Sequence, residues 1–440
     1  MKPSAILSLG ALLLGASSPV EASECKVPPC GRFENSTPWT AKWADLGKKD
    51  HLCQLKTVAK PVKCHQYSLG ANSSRGGYFH KPRTDVDAFC FADRTYYVKF
   101  GPRGSEQAIK KGVWIKINSA QTAKCVAKNG VPHLVVAVAG GTGSVGSTIV
   151  DGLVEYGKHK VYALSRKERS PQGAVNYLKV DYNDTDAIIK AFEEAGVNIL
   201  ICAISVVSPE TNQAQKNLIQ AAELSPCTER FVISSFDMLH VKEDIELSPL
   251  TRYTFEAIDE LERTGLTYTR IANGWFLDYY GMPYWKCNLE PWINILNMES
   301  KWAVIPADGN IQASFLTSQD MSRFVARLMD LENWEKISAI RANTLSFNQL
   351  VDAAEKARGS KFKVVVDSLE KLKSGKISFF PDYPSIGYGE GDEAFLAMIH
   401  YQAGIGRYLV PRHFPPLDEK FPDLKVTTAS EVMDASWKGK

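Results

Sequence analysis

The sequence predicts an α/β fold: a doubly wound parallel sheet with a smaller C-terminal lobe, preceded by a small disulfide-stapled β-rich domain. Three observations predict it. The apolar run His133–Ala139 passes straight into the glycine-rich turn Gly140–Gly146; strand-like and helix-like stretches then alternate as far as Ser234; and six of the nine cysteines lie before residue 130. An unbroken apolar run is the pattern of a strand covered on both faces, as in a parallel sheet. Cysteines crowded into a short segment staple a domain whose core is too small to hold itself together.

Taken in order, residues 1–22 open with Lys2, continue through the apolar stretch Ala5–Ala16 and end Val20-Glu21-Ala22. A run of about 12 apolar residues is too short to span a bilayer, so a cleaved secretory signal is expected rather than an anchor. With 440 residues, 44% hydrophobic and 23% charged, the chain is not disordered, fibrous or a multi-span membrane protein. Its net charge of +3 conceals a division: residues 23–130 carry 19 basic and 8 acidic side chains, and residues 131–440 carry 32 and 40. Two unlike units therefore share one chain, and no nucleic-acid partner or membrane span is expected of either.

In 23–130, Cys25, Cys30, Cys53, Cys64, Cys90 and Cys125 form an even set. Behind an export signal such a set reads as a disulfide framework, with 15 possible pairings that sequence cannot choose between. No metal site is expected, because no C-x-x-C pair is present and His51, His65 and His80 stand at no ligand interval. Short β-type runs such as Thr95–Phe100 and Val113–Ile117 alternate with turn residues. Asn35-Ser36-Thr37 and Asn72-Ser73-Ser74 are glycan acceptor sequons, the first weakened by Pro38.

At Val131 the texture changes. In Gly140-Gly141-Thr142-Gly143-Ser144-Val145-Gly146 the first glycines permit a tight turn and close backbone approach to a pyrophosphate, and Gly146 permits strand and helix to pack closely. The helix Ser147–Tyr156 then offers its N-terminal amides and positive dipole end to phosphate. A second strand, Lys160–Ser165, completes the unit, which makes this a dinucleotide site rather than a bare glycine turn. Where an NAD enzyme would carry Asp or Glu, this chain carries Ser165-Arg166-Lys167, and a guanidinium suits the 2′-phosphate of NADP(H). Val175–Val180, Asn198–Ile204 and Arg230–Ser234 are further strands, with helices over 184–195 and 210–224. Right-handed crossovers make the sheet doubly wound with its ligand at the strand carboxyl ends. Asp181 falls there near the adenine, and Ala203, Ser205 and Ser234 fall beside the middle and nicotinamide end of the cofactor.

The glycine turn, Arg230-Phe231-Val232-Ile233-Ser234-Ser235-Phe236, and Gly265–Arg270 followed by Asn273–Gly281 together resemble the NmrA-like group, the isoflavone-reductase-like branch of the atypical short-chain dehydrogenase/reductases in its fungal form. The resemblance covers residues 133–440. It implies a Rossmann core (about 133–272), a substrate lobe (about 273–440), NADP(H) as cofactor and a small-molecule substrate. It also implies a general acid or base: reductases of the group carry a Lys at the start of the helix after the fifth strand. Here that position holds Thr254, whose hydroxyl cannot trade protons near neutrality as a tuned Lys can. Tyr253 beside it is a substitute donor or a packing residue; Tyr156-Gly157-Lys158-His159-Lys160 matches Tyr-x-x-x-Lys only in letters. Trp275, Phe276, Tyr279, Tyr280, Tyr284, Trp285 and Trp292 either line an apolar pocket or form lobe core. Asp320 is expected to cap a helix, Thr428 and Glu431 to form a capping box, and Lys376–Asp392 to be a pocket-flanking loop.

Three functions are open on this reading: an NADPH-dependent oxidoreductase of a small carbonyl or unsaturated compound, a non-catalytic NADP(H)-sensing regulator with a protein partner, and a secreted effector carried by 23–130. NADPH is cytosolic whereas disulfides need an oxidising compartment. The joint near Lys128–Pro132 is therefore either a natural fusion exported by its signal or two genes joined in error, the second half then being cytoplasmic.

Overall fold

The computed structural model describes residues 25–126, except 27, 38, 47–50, 80–82, 93–95, 102–105 and 120, and residues 134–440, except 332 and 380–391. The leader, the joint and most of the Lys376–Asp392 segment lie outside the described residues. The chain divides into two compact units between Gly130 and Val131.

In the first unit, two five-stranded sheets share one core. One runs Ser73–Gly76, Arg32–Ser36, Thr122–Val126, Tyr96–Phe100, Glu106–Ile109; the other His51–Cys53, Val62–Leu69, Ala41–Asp45, Ala88–Cys90, Ile115–Lys116. Alternating side chains from both sheets fill the space between them, with Phe33 stacked on Phe89 at 4.3 Å and Tyr96 beside Phe91. Disulfides join Cys25 to Cys30 and Cys53 to Cys64. Cys90 and Cys125 are buried in the same core. Of the two sequons, Asn35 is 1% exposed and its amide donates to the Trp39 and Gly70 carbonyls, so the folded unit cannot carry a glycan there. Asn72 is exposed.

The second unit begins with β1 (Val135–Ala139), α1 (Ser144–Tyr156), β2 (Lys160–Ser165), β3 (Val175–Lys179), α2 (Thr185–Ala195), β4 (Ile199–Cys202), α3 (Pro209–Leu224), β5 (Arg230–Asp237), α4 (Pro249–Leu261) and β6 (Thr267–Ala272), and the sheet is completed by β7 (Ile337–Ala339). All pairs are parallel, in the order β3-β2-β1-β4-β5-β6-β7. The order reverses at β1/β4, so the crevice outside their carboxyl ends is where such a sheet takes a ligand. Val136 and Val138 of β1 pack toward one face; Val135, Ala137 and Ala139 pack toward the other. All five are 6% exposed or less, which is why the strand carries no polar residue.

The lobe holds two three-stranded sheets, Trp275–Phe276 with Gln312–Leu316 and Asn343–Ser346, and Leu296–Asn297 with Trp302–Pro306 and Lys363–Asp367. Helices 347–358, 392–404 and 429–437 pack against them. Thr428 and Glu431 make the reciprocal capping box. The helix Ser318–Leu328 is capped by Thr317 rather than Asp320, which stands in its first turn and accepts from Thr427 N–H. The reason is distant in sequence: Asp278 accepts both the amide and the hydroxyl of Ser318 and fixes the helix start one turn earlier.

Candidate functional site

The turn from β1 into α1 is shaped for close backbone approach. Gly140 has φ +74°, and a Cβ there would come 2.5 Å from the Ala203 carbonyl oxygen at the end of β4. A Cβ on Gly146 would collide with the Gly140 carbonyl. The N-cap of α1 is Gly143, which supplies no side-chain cap, and no acidic residue stands in the first turn. The next two helices do cap themselves: Asp184 accepts from Ala187 N–H at α2 and Ser208 from Thr211 N–H at α3. Thr142 and Ser144 thus flank an N-terminus that no side chain among the described residues caps, which fits a dinucleotide pyrophosphate.

At the end of β2, Ser165 is buried and its hydroxyl accepts from Lys167 N–H (3.2 Å) and Arg169 Nε (3.3 Å). That local network turns the chain so that Arg166 and Lys167 are exposed beside the glycine turn. Tyr182, just after β3, reaches back so that its hydroxyl accepts from Gly140 N–H at 3.1 Å. Burial raises the Tyr182 pKa, while the Gly140 amide and the nearby Arg166 guanidinium pull the other way. Arg166, Tyr182 and Gly140 thus share one corner. Asp181 spends one carboxylate oxygen on the Asn183 amide.

Beside the middle of the cleft, Ala203 is half-buried and Ser205 exposed. The Ser234 hydroxyl donates to the Ile204 carbonyl at 2.6 Å. β5 runs three residues past Ser234: a bulge between Ile233 and Phe236 lets the strand resume pairing with β6 and end at Asp237. Bulges re-aim side chains beside active sites. Here the bulge delivers a carboxylate that the sequence pattern did not reveal. Asp237 Oδ1 lies 3.2 Å from Nε2 of His240, whose Nδ1 lies 2.8 Å from the Thr251 hydroxyl on α4. Arg270 donates to the His240 carbonyl at 2.8 Å. Burial pushes the Tyr408 phenol well above its ordinary range, and the nearby Asp237 carboxylate adds to the effect.

Thr254 sits on the same face of α4, is 4% exposed, and donates its hydroxyl to the Leu250 carbonyl at 2.9 Å. Tyr253 is half-buried beside it. Trp275 and Tyr280 are lobe core, with Trp275 stacked on Tyr408 at 4.2 Å, whereas Phe276 packs in the cluster that holds Val136 and Val138 of β1; Tyr284 is half exposed against Trp437. Tyr156 stands at the far end of α1 from the glycine turn and bonds Asp330, so its Tyr-x-x-x-Lys spacing has no part in the cleft.

Residues 132–389 match the NmrA-like family. The oxidoreductase swnN of Metarhizium robertsii is 29% identical over 333 residues, which cover 69% of this chain and 97% of that protein. The oxidoreductase BOA1 of Botryotinia fuckeliana is 34% identical over 230 residues, 52% of this chain and 77% of that protein. Among solved structures, AtPrR2 with NADP+ and (+)pinoresinol superposes with a TM-score of 0.53 at 20% identity, covering 69% of this chain and 98% of that one. The ternary complex of leucoanthocyanidin reductase from Vitis vinifera does so with 0.53 at 18%, covering 68% and 98%. Both share the α/β architecture described above. By the match over more than half its length, the chain belongs to the NmrA-like family.

Proposed function

We propose that residues 131–440 bind NADP(H) and act as an NADPH-dependent oxidoreductase on a small carbonyl or unsaturated compound. The observation that carries this reading is the uncapped α1 N-terminus behind Gly140–Gly146 with Arg166 exposed at the end of β2. The backbone around Thr142, Gly143, Ser144 and Val145 would hold the pyrophosphate, Arg166 and Lys167 the 2′-phosphate, and Ala203, Ser205 and Ser234 would border the nicotinamide half. When bound, the cofactor supplies the hydride; the chain supplies position and a proton. The names of the two fungal relatives and the NADP+ complex of AtPrR2 support the same reading.

The test is NADPH oxidation, followed at 340 nm, by the purified full chain over a panel of aldehydes, ketones, enones and quinones. Oxidation that depends on one compound class is expected. NADPH binding with no oxidation across the panel overturns catalysis and favours the sensing regulator, a reading that gains from the Thr254 hydroxyl being committed to Leu250. For 23–130 we propose a secreted stapled domain, supported by its two disulfides. Among the described residues no helix is long and apolar enough to cross a membrane. A polypeptide of the whole chain's mass, less residues 1–22, recovered from the medium would establish a natural fusion; separate products of the two halves would establish the erroneous joint.

A further inference from the structure

We infer that Asp237 and His240 deliver the proton that the family Lys would otherwise deliver, Asp237 as the catalytic residue and His240 as the positioning residue behind it. The inference rests on the reductase reading of residues 131–440.

Three observations carry it. Asp237 ends β5 at the carboxyl edge of the sheet, and its side chain is 36% exposed while that of His240 is 2% exposed. One member of the pair is therefore open to solvent at that edge and the other stands behind it. His240 is bonded on both ring nitrogens, by Asp237 at 3.2 Å and by Thr251 at 2.8 Å. A hydroxyl donates or accepts as required, so the ring is satisfied both as imidazole and as imidazolium, which suits a group that gives and regains a proton. Thr251 and Thr254 are both buried on α4 and three residues apart. Their Cβ atoms are neighbours at about 5–6 Å, which brings the imidazole within one helical turn of the family Lys position. The Arg270 guanidinium donates to the His240 carbonyl and lies near enough to Asp237 to favour its carboxylate.

In reduction of a carbonyl, the carbon accepts a hydride with its electron pair, the C=O π pair moves to oxygen, and oxygen takes a proton that the His240 imidazolium passes from Nε2–H through the Asp237 carboxylate. The pair is left as carboxylate and neutral imidazole. The pair then regains one proton from water at the exposed face of Asp237. The sum is carbonyl, NADPH and one proton giving alcohol and NADP+.

Asp237→Ala, the isosteric Asp237→Asn and His240→Gln in the full chain test the pair. In the cofactor-free wild type, the Nε2–H proton of His240, sheltered from exchange by Asp237, should be visible by proton NMR, and this Nε2–H signal lost in Asp237→Ala. All three variants should bind NADPH as the wild type does. With any compound the wild type reduces, kcat of both Asp237 variants should fall about 100-fold or more at unchanged KM, the scale of general acid catalysis. Added formate should restore part of the loss in Asp237→Ala, which it would not do for a purely structural residue. Survival of the N–H signal in Asp237→Ala, or wild-type kcat in Asp237→Asn, overturns the pair and leaves the reductase standing. A wild type that oxidises NADPH with no compound overturns both.

Discussion

The two units solve the problem of holding a fold in opposite ways. The first builds ten described strands around one core and ties its edge strand His51–Cys53 and its N-terminal segment covalently, through Cys53–Cys64 and Cys25–Cys30. The second covers both faces of a seven-stranded sheet with helices, and its core is large enough to need no described disulfide. The difference teaches where each is vulnerable: the first to a reductant, the second to whatever forces charge into its interior.

Reduction is the larger effect. Bridges closing sequence separations of 11 and 5 residues restrict the unfolded chain by about 3 and about 2 kcal/mol respectively, a sum near half the stability of a small domain. Dithiothreitol should therefore raise amide exchange across residues 25–126 by about a thousandfold while 134–440 keep their protection, as read by hydrogen-exchange mass spectrometry. Equal loss in both units would break the comparison.

Acid should act the other way round. His400, on the lobe helix 392–404, is fully buried, and burial depresses its pKa from 6.5 to about 4. Below pH 6.5 the unfolded chain takes up a proton that the native imidazole refuses until about pH 4, so stability falls with pH across that window, by about 3 kcal/mol in all. In the first unit His51 is exposed and His65 half-buried. Urea unfolding of the second unit at pH 7 and pH 4.5 should show the loss in the wild type and much less of it in His400→Leu. The same loss in both proteins would assign the acid sensitivity to other groups.

What the sequence made legible follows distance along the chain. The β1 turn into α1, the βα alternation and the Thr428–Glu431 capping box depend on neighbours within a few residues, and their residue types announce them. The pairing of Cys53 with Cys64 depends on a strand register that sets His51 against Cys64 and Cys53 against Val62, which composition does not encode. Asp320 was expected to cap a helix, and Asp278, some 40 residues earlier, decides otherwise. Asp237 and His240 escape a sequence pattern for a similar reason. The first needs a bulge to extend β5, and the second acquires its role only when Thr251 of α4 docks against it. The one available signal was a histidine three residues after an aspartate at the end of a strand, which is too common to single out.

The smallest of these effects tests what positive charge does in each unit. The 19 basic residues of 23–130 are spread over the segment, whereas Arg166 stands at one corner with Gly140 and Tyr182, and among the described residues no carboxylate pairs with it. A guanidinium kept clear of acidic partners at that corner is placed for an anion, and a carboxylate there would repel a 2′-phosphate and bond a 2′-hydroxyl instead. Arg166→Glu should therefore weaken NADPH binding by about tenfold to a hundredfold, the worth of one charge-assisted contact, and leave NADH binding unchanged or improved. Titration of both dinucleotides by fluorescence measures the ratio. Equal loss for the two would mean that Arg166 holds the turn together rather than reading the phosphate, and that its charge is as unspecific as that of the first unit.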